Sequence, residues 1–173
     1  MPSRFVFNPV IILERTVDGV SVASLTRFAR RAQKLAGLRG DVNVLIAGNR
    51  RLQRLNRTFR GKDRPTDVLS FIRENEAGGD IAISAELARS NAQLYGHSAK
   101  DEIRILILHG MLHLAGHDHE NDGGRMARLE SRLRSHLKLP TSLIERATID
   151  TVTSGNGRVR RSRRRSAAGG RAR

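Results

Sequence analysis

Cysteine and tryptophan are both absent from the 173 residues; tyrosine occurs once, phenylalanine five times and proline four times. Without cysteine there can be no disulfide and no thiolate metal site, a usage that suits a reducing cytoplasm. No apolar run is long enough to span a membrane. Residues 5–13 are apolar but broken by Asn8 and Pro9, too short and interrupted for a secretory leader. A soluble, cytoplasmic protein with no membrane partner is therefore expected. Acids are also scarce, with 17 Asp and Glu against 32 Lys and Arg, for a net charge of +15. Such a balance favours a polyanionic partner, most commonly nucleic acid.

What is present is enough for one domain with a proper core: 38% of the residues are hydrophobic. Residues 5–13 read as a strand, and Pro9, which cannot donate to a ladder, places it at a sheet edge. Ser21 caps a helix to about Ala36, ended by Gly37 and Gly40. Residues 41–47 form a second strand. Residues 49–59 are helical, with Leu52, Leu55 and Phe59 spaced to pack inward and the arginines facing out. A charged loop, residues 60–67, leads to a strand at 68–72. A turn at 74–79 and an alternating strand at 80–84 follow. Ser84 can cap a helix to about Tyr95, and Ser98 with Asp101 forms a capping box for a central helix over 99–115. Gly116 stops it, and a last amphipathic helix runs from Gly124 to about Lys138. Residues 1–150 are thus expected to be a single α+β domain, a mixed sheet of about four strands packed with about five helices. Residues 151–173 carry eight arginines and read as a disordered basic tail.

Four of the six histidines fall in one stretch, residues 109–119, closing the most apolar segment of the chain. His109 and His113 are four apart, so on a helix they share a face with Cβ atoms roughly 5–6 Å apart. That spacing lets two imidazoles meet one ion. Gly116 then turns the chain so that His119 comes within reach as a third ligand. Three neutral nitrogens and an open position describe a catalytic zinc site at the end of a buried helix. Nickel or another divalent transition metal would also suit these donors. His117 is the less secure fourth candidate, and Asp118 could accept a ligand's second N–H. His97 and His136 read as a loop residue and a solvated helix residue.

The ligand spacing also matches the metzincin peptidases, which place a glutamate general base directly after the first histidine. Here that position is Gly110, so a peptidase of this design would lack its proton acceptor. The histidine stretch resembles the signature of the YbeY family of bacterial endoribonucleases. A second block, residues 55–71, looks like that family's other long motif. A third, residues 79–84, fits its strand, and residues 96–98 fit its turn before the metal helix. The resemblance covers roughly residues 5–140. It implies a single-strand-specific, metal-dependent endoribonuclease that matures the 3′ end of 16S ribosomal RNA. Ribosomal RNA and the small ribosomal subunit are the implied partners, with no small-molecule cofactor. It further implies that His109, His113 and His119 hold the metal and that Arg60 is functionally important. An arginine there would donate to a phosphate and stabilise growing charge. Lys62 and Arg64 read as general phosphate contacts. Ile72 replaces the family's usual proline, and His117 its commoner tyrosine. Two rivals remain: a ribosome-assembly factor with a structural metal, and a peptidase, which Gly110 disfavours.

Overall fold

The computed structural model describes residues 8–73, 77–118 and 122–140. In chain order these form β1 (Val10–Leu13), α1 (Val22–Leu35), β2 (Asp41–Ala47), α2 (Asn49–Arg60), β3 (Val68–Ile72), β4 (Gly78–Ser84), α3 (Ala85–Tyr95), α4 (Ala99–Leu114) and α5 (Arg125–Leu137). The sheet runs β1-β2-β4-β3. β1, β2 and β4 are parallel, and β3 is antiparallel to β4. The expected single α+β domain with a mixed sheet is what forms, and β1 does lie at an edge. The tail from residue 151 lies outside the described residues, as do residues 5–7 of the expected first strand.

Period-two alternation divides the core between the two faces of the sheet. Val42, Val44, Ile46, Ile81 and Ile83 pack with Leu25 and Ala29 of α1 and with Leu106 and Ile107 of α4. Leu69, Ala47 and Ala82 point the other way and pack with Leu52 of α2. α1 and α4 thus cover one face and α2 the other.

α4 buries eleven of its sixteen residues, which explains why its sequence is apolar nearly all round. Each fully buried Leu or Ile there contributes on the order of 1.5–3 kcal/mol. Contact with the sheet is close at Gly110. A Cβ at that position would lie 3.0 Å from Ile81 Cδ1, Ile81 Cγ2 and Ser70 Oγ. Gly110 therefore serves packing, and a side chain in its place would press on those of Ile81 and Ser70.

The helix starts follow their caps. The Ser21 hydroxyl accepts from Ser24 N–H at 3.2 Å, and the Ser84 hydroxyl from Leu87 N–H at 3.1 Å. The Ser98 hydroxyl accepts from Asp101 N–H at 3.1 Å and donates to the Asp101 carboxylate at 2.7 Å, so half of the expected capping box is formed. β4 begins two residues earlier than alternation indicates. Gly78 and Gly79 pair with Asp41 and Val42, and a Cβ on Gly78 would meet Asp41 O at 2.1 Å. Phe59 departs from expectation more plainly. It is 63% exposed instead of facing inward, because α2 covers only part of its face and Phe59 lies beyond Leu52 at the open side.

Candidate metal centre

His109 and His113 leave consecutive turns of α4, as their spacing requires. His109 Nε2 and His113 Nε2 lie 3.1 Å apart, with the rings nearly perpendicular at 77°. Two tetrahedral ligands at roughly 2.0–2.1 Å from one ion would be separated by about 3.3 Å. The pair therefore fits a transition metal.

Behind His109 stands Glu130 of α5. His109 Nδ1 is 2.9 Å from Glu130 Oε2, and the carboxylate is fully buried. A carboxylate in this position accepts the Nδ1 proton and leaves the Nε2 lone pair facing His113. Arg134 lies 3.6 Å from the other carboxylate oxygen, so the acid is itself held. Sequence reading assigned Asp118 to the carboxylate role; behind His109 the residue is Glu130. The signal was present. Met126, Glu130, Leu133 and Leu137 form one inward stripe of α5, and an acid among apolar residues at that period marks a buried partner.

α4 ends at Leu114, and Gly116, two residues on, adopts φ of 88°. Gly116 N–H donates to His113 O at 2.9 Å and His117 N–H to Leu112 O at 3.0 Å, a left-handed helix stop that turns the chain sharply. α5 starts just after Asp122, whose carboxylate accepts from the backbone amides of Gly124, Arg125 and Met126 at 2.8, 3.1 and 2.6 Å. Burial would raise this carboxyl, but the amides of Met126, Gly124 and Arg125 and the charge of Arg128 together hold it below its ordinary value. His119 lies outside the described residues. Among the described residues no group of three or more His, Cys, Asp or Glu is placed to hold an ion. His117 is partly buried and Asp118 exposed at the mouth of this turn.

Arg60 belongs to the last turn of α2, on the other face of the sheet, and is exposed. The loop after it is pinned to α2, with Asn56 Nδ2 donating to Arg64 O at 2.8 Å and Gln53 Nε2 to Asp63 Oδ1 at 3.1 Å. Arg60, Lys62 and Arg64 thereby ring a small depression of about 170 Å³ floored by Leu69. Three cations around a polar hollow suit a phosphate.

A second polar cluster lies at the other end of α4, and sequence reading missed it. His97 Nε2 is 2.7 Å from Glu102 Oε2, and both side chains are buried. Asn91 Nδ2 reaches both Glu102 Oε1 and Asp67 Oδ2 at 3.3 Å. His97 is thus more than a loop residue: it ties the turn before α4 to the helix. His136, exposed on α5 with Nδ1 2.9 Å from Arg132 O, remains a solvated helix residue.

A family model described as Endoribonuclease YbeY matches residues 14–138. The chain is similar to an Endoribonuclease YbeY of Koribacter versatilis, 58% identical over 141 residues that cover 80% of this chain and 92% of the relative. A second, from Solibacter usitatus, is 54% identical over 123 residues, covering 71% of this chain and 84% of the relative. The fold is similar to a solution structure of a Thermotoga maritima protein, with a TM-score of 0.51 at 25% identity over 75% of this chain and 91% of that one. The imidazole pair, its carboxylate and the sheet that carries them therefore sit in a chain that belongs to the YbeY family of endoribonucleases.

Proposed function

We propose that this protein is a metal-dependent endoribonuclease that cleaves single-stranded RNA in maturing the 3′ end of 16S ribosomal RNA. Membership of the family supports the hydrolase activity on RNA. The observation that carries the metal dependence is the facing pair of Nε2 atoms, one of them set by a buried carboxylate. Zinc is the ion these donors suit best, with His119 as the third ligand and a fourth position open. When bound, such an ion supplies an activated water or polarises the phosphoryl oxygen. The chain's own residues do the rest. Glu130 fixes the orientation of His109. Arg60 donates to the phosphate and stabilises charge growing at the scissile group. β3 is an edge strand, so groups on the two faces of the sheet have no further strand to cross between them. Lys62 and Arg64 hold flanking phosphates. Ribosomal RNA in the cytoplasm, on or near the small subunit, is the substrate in this reading; no helix among the described residues is long and apolar enough to cross a membrane.

Metal analysis beside an RNA cleavage assay tests it. His113→Ala is preferable to His109→Ala, because removing His109 would strand the buried Glu130. Loss of bound metal and of cleavage in His113→Ala, with the circular dichroism spectrum retained, is the expected result. Cleavage should fall by on the order of a hundredfold or more in Arg60→Ala. Full activity in both variants would refute the mechanism. Unfolding of His113→Ala would assign the ion to structure instead.

A further inference from the structure

α2 leaves part of its own face of the sheet uncovered. Arg51, Leu55 and Phe59 recur every four residues along α2 and form one wall of a groove of about 480 Å³, floored by Leu45, Ala82 and Phe71. That volume lies in the roughly 300–1,000 Å³ range of ligand sites. Phe59 stands at its rim, 63% exposed, with its ring 4.9 Å from that of Phe71 at 59°. Ile12 of β1, on the far side, is 48% exposed. The polar groups of the floor are already engaged: Asp80 takes Arg73 at 2.8 Å and Asn43 at 2.7 Å. Glu14 lies at the outer edge.

Arg51 lines the groove, and the charge of the helix that carries it decides what fits there. α2 carries Arg50, Arg51, Arg54, Arg57 and Arg60 in twelve residues, with no acid. All five are exposed, and no ion pair among the described residues takes up any of them. Like charges at such spacing repel. A polyanion relieves that repulsion, and an apolar groove with an aromatic rim beneath it accepts the faces of unpaired bases. A neutral or basic protein segment would satisfy the groove but not the row of arginines.

We infer that the groove between α2 and the bare part of the sheet binds unpaired bases of single-stranded RNA. Phe59 is the stacking residue, and Arg50, Arg51, Arg54 and Arg57 hold the phosphates. Exposed aromatics that stack bases are a recurring device of RNA-binding modules, and here the aromatic stands on a helix beside the sheet. It extends the proposed function and rests on RNA being the substrate. The groove lies along α2, whose last turn carries Arg60, so bases held there would share one helix with the phosphate contact of the proposed function.

The chain has no tryptophan, so Phe59→Trp introduces a lone fluorophore. In the full-length protein, a single-stranded oligoribonucleotide should quench the introduced indole saturably, and duplex RNA of equal length should not. Phe59→Ala should weaken single-strand binding about tenfold, and Arg54→Ala should lower the salt slope of log affinity by about 0.7. His113→Ala should keep the quenching while losing cleavage, which separates this site from the metal centre. Failure of the wild type to bind RNA at all would remove the proposed function and this inference together. RNA binding without quenching, and with Phe59→Ala unimpaired, would overturn the inference alone. So would an indole already shielded from acrylamide before RNA is added, which would mean the chain fills its own groove. If Phe59→Ala instead kept its RNA affinity but lost binding to small ribosomal subunits, the occupant would be a protein and the inference wrong.

Discussion

The two faces of the sheet are built from the same alternation of side chains yet end in opposite conditions. On one, α1 and α4 cover the aliphatic rows of β2 and β4, and the imidazole pair sits among fully buried Leu and Ile. On the other, α2 buries a few residues around Leu52 and leaves the rest open beside five arginines. The covered face supplies rigidity. A buried helix with a buried carboxylate behind it fixes the two facing nitrogens in one arrangement. The open face supplies charge and exposed aromatic surface, which a flexible polyanion needs. In the function proposed above, the imidazole pair falls on the covered side of the sheet, and the RNA-holding surface, with Arg60 at its end, falls on the open side.

Substitutions should expose this inequality, beginning with the largest effect. Gly110→Glu would force a carboxylate against Ile81 and Ser70. It should cost about 3 kcal/mol or more in chemical denaturation and yield no metal-dependent casein cleavage. A stable variant with peptidase activity would show that the helix is not clamped to the sheet there. Glu130→Gln keeps the shape behind His109 but removes the charge. It should weaken metal affinity by about 10–100-fold in competition with a chelator. Unchanged affinity would mean that the carboxylate is only a packing element. On the open face, Phe59→Ala should cost about 1 kcal/mol or less, since it loses one ring contact and little burial. A cost like that of a core residue would erase the contrast between the faces.

The smallest effect lies at Asp122. Its carboxyl is depressed in the folded chain, so its contribution to stability is present above its unfolded pKa and is lost as the pH falls through the folded one. Asp122→Asn should therefore melt below wild type near neutral pH, and the gap should narrow as the pH drops below the ordinary carboxylate range. A gap independent of pH would assign the cap to shape alone.

Much of this was readable in the chain. The caps at Ser21, Ser84 and Ser98, the glycine stop at Gly116 and the unbroken apolar run of α4 are local signals, and local structure follows them. The imidazole pair was readable for the same reason, because helical spacing is a property of neighbours in sequence. Glu130 and the cluster of His97, Glu102, Asn91 and Asp67 were harder, since they join residues from different elements and only tertiary packing brings them together. Phe59 was misread because periodicity shows which way a side chain points on its helix but not whether anything lies opposite. The low strand propensity of Gly78 and Gly79 hides the start of β4, yet the close approach of Asp41 to Gly78 and of Phe71 to Gly79 admits only glycine.

The bridge from His109 to Glu130 has a consequence for the order in which the molecule is completed. α4 leaves the ribosome before α5, so during synthesis the two imidazoles exist for a time with no carboxylate to orient them. The site matures only when the last described helix docks. Linkage makes the relation mutual: whatever docking adds to the affinity for an ion, the ion returns as stability of the docked helix. Under the proposed function, a nascent or truncated chain would be a poor competitor for a metal ion, and loading would report that the last helix has docked.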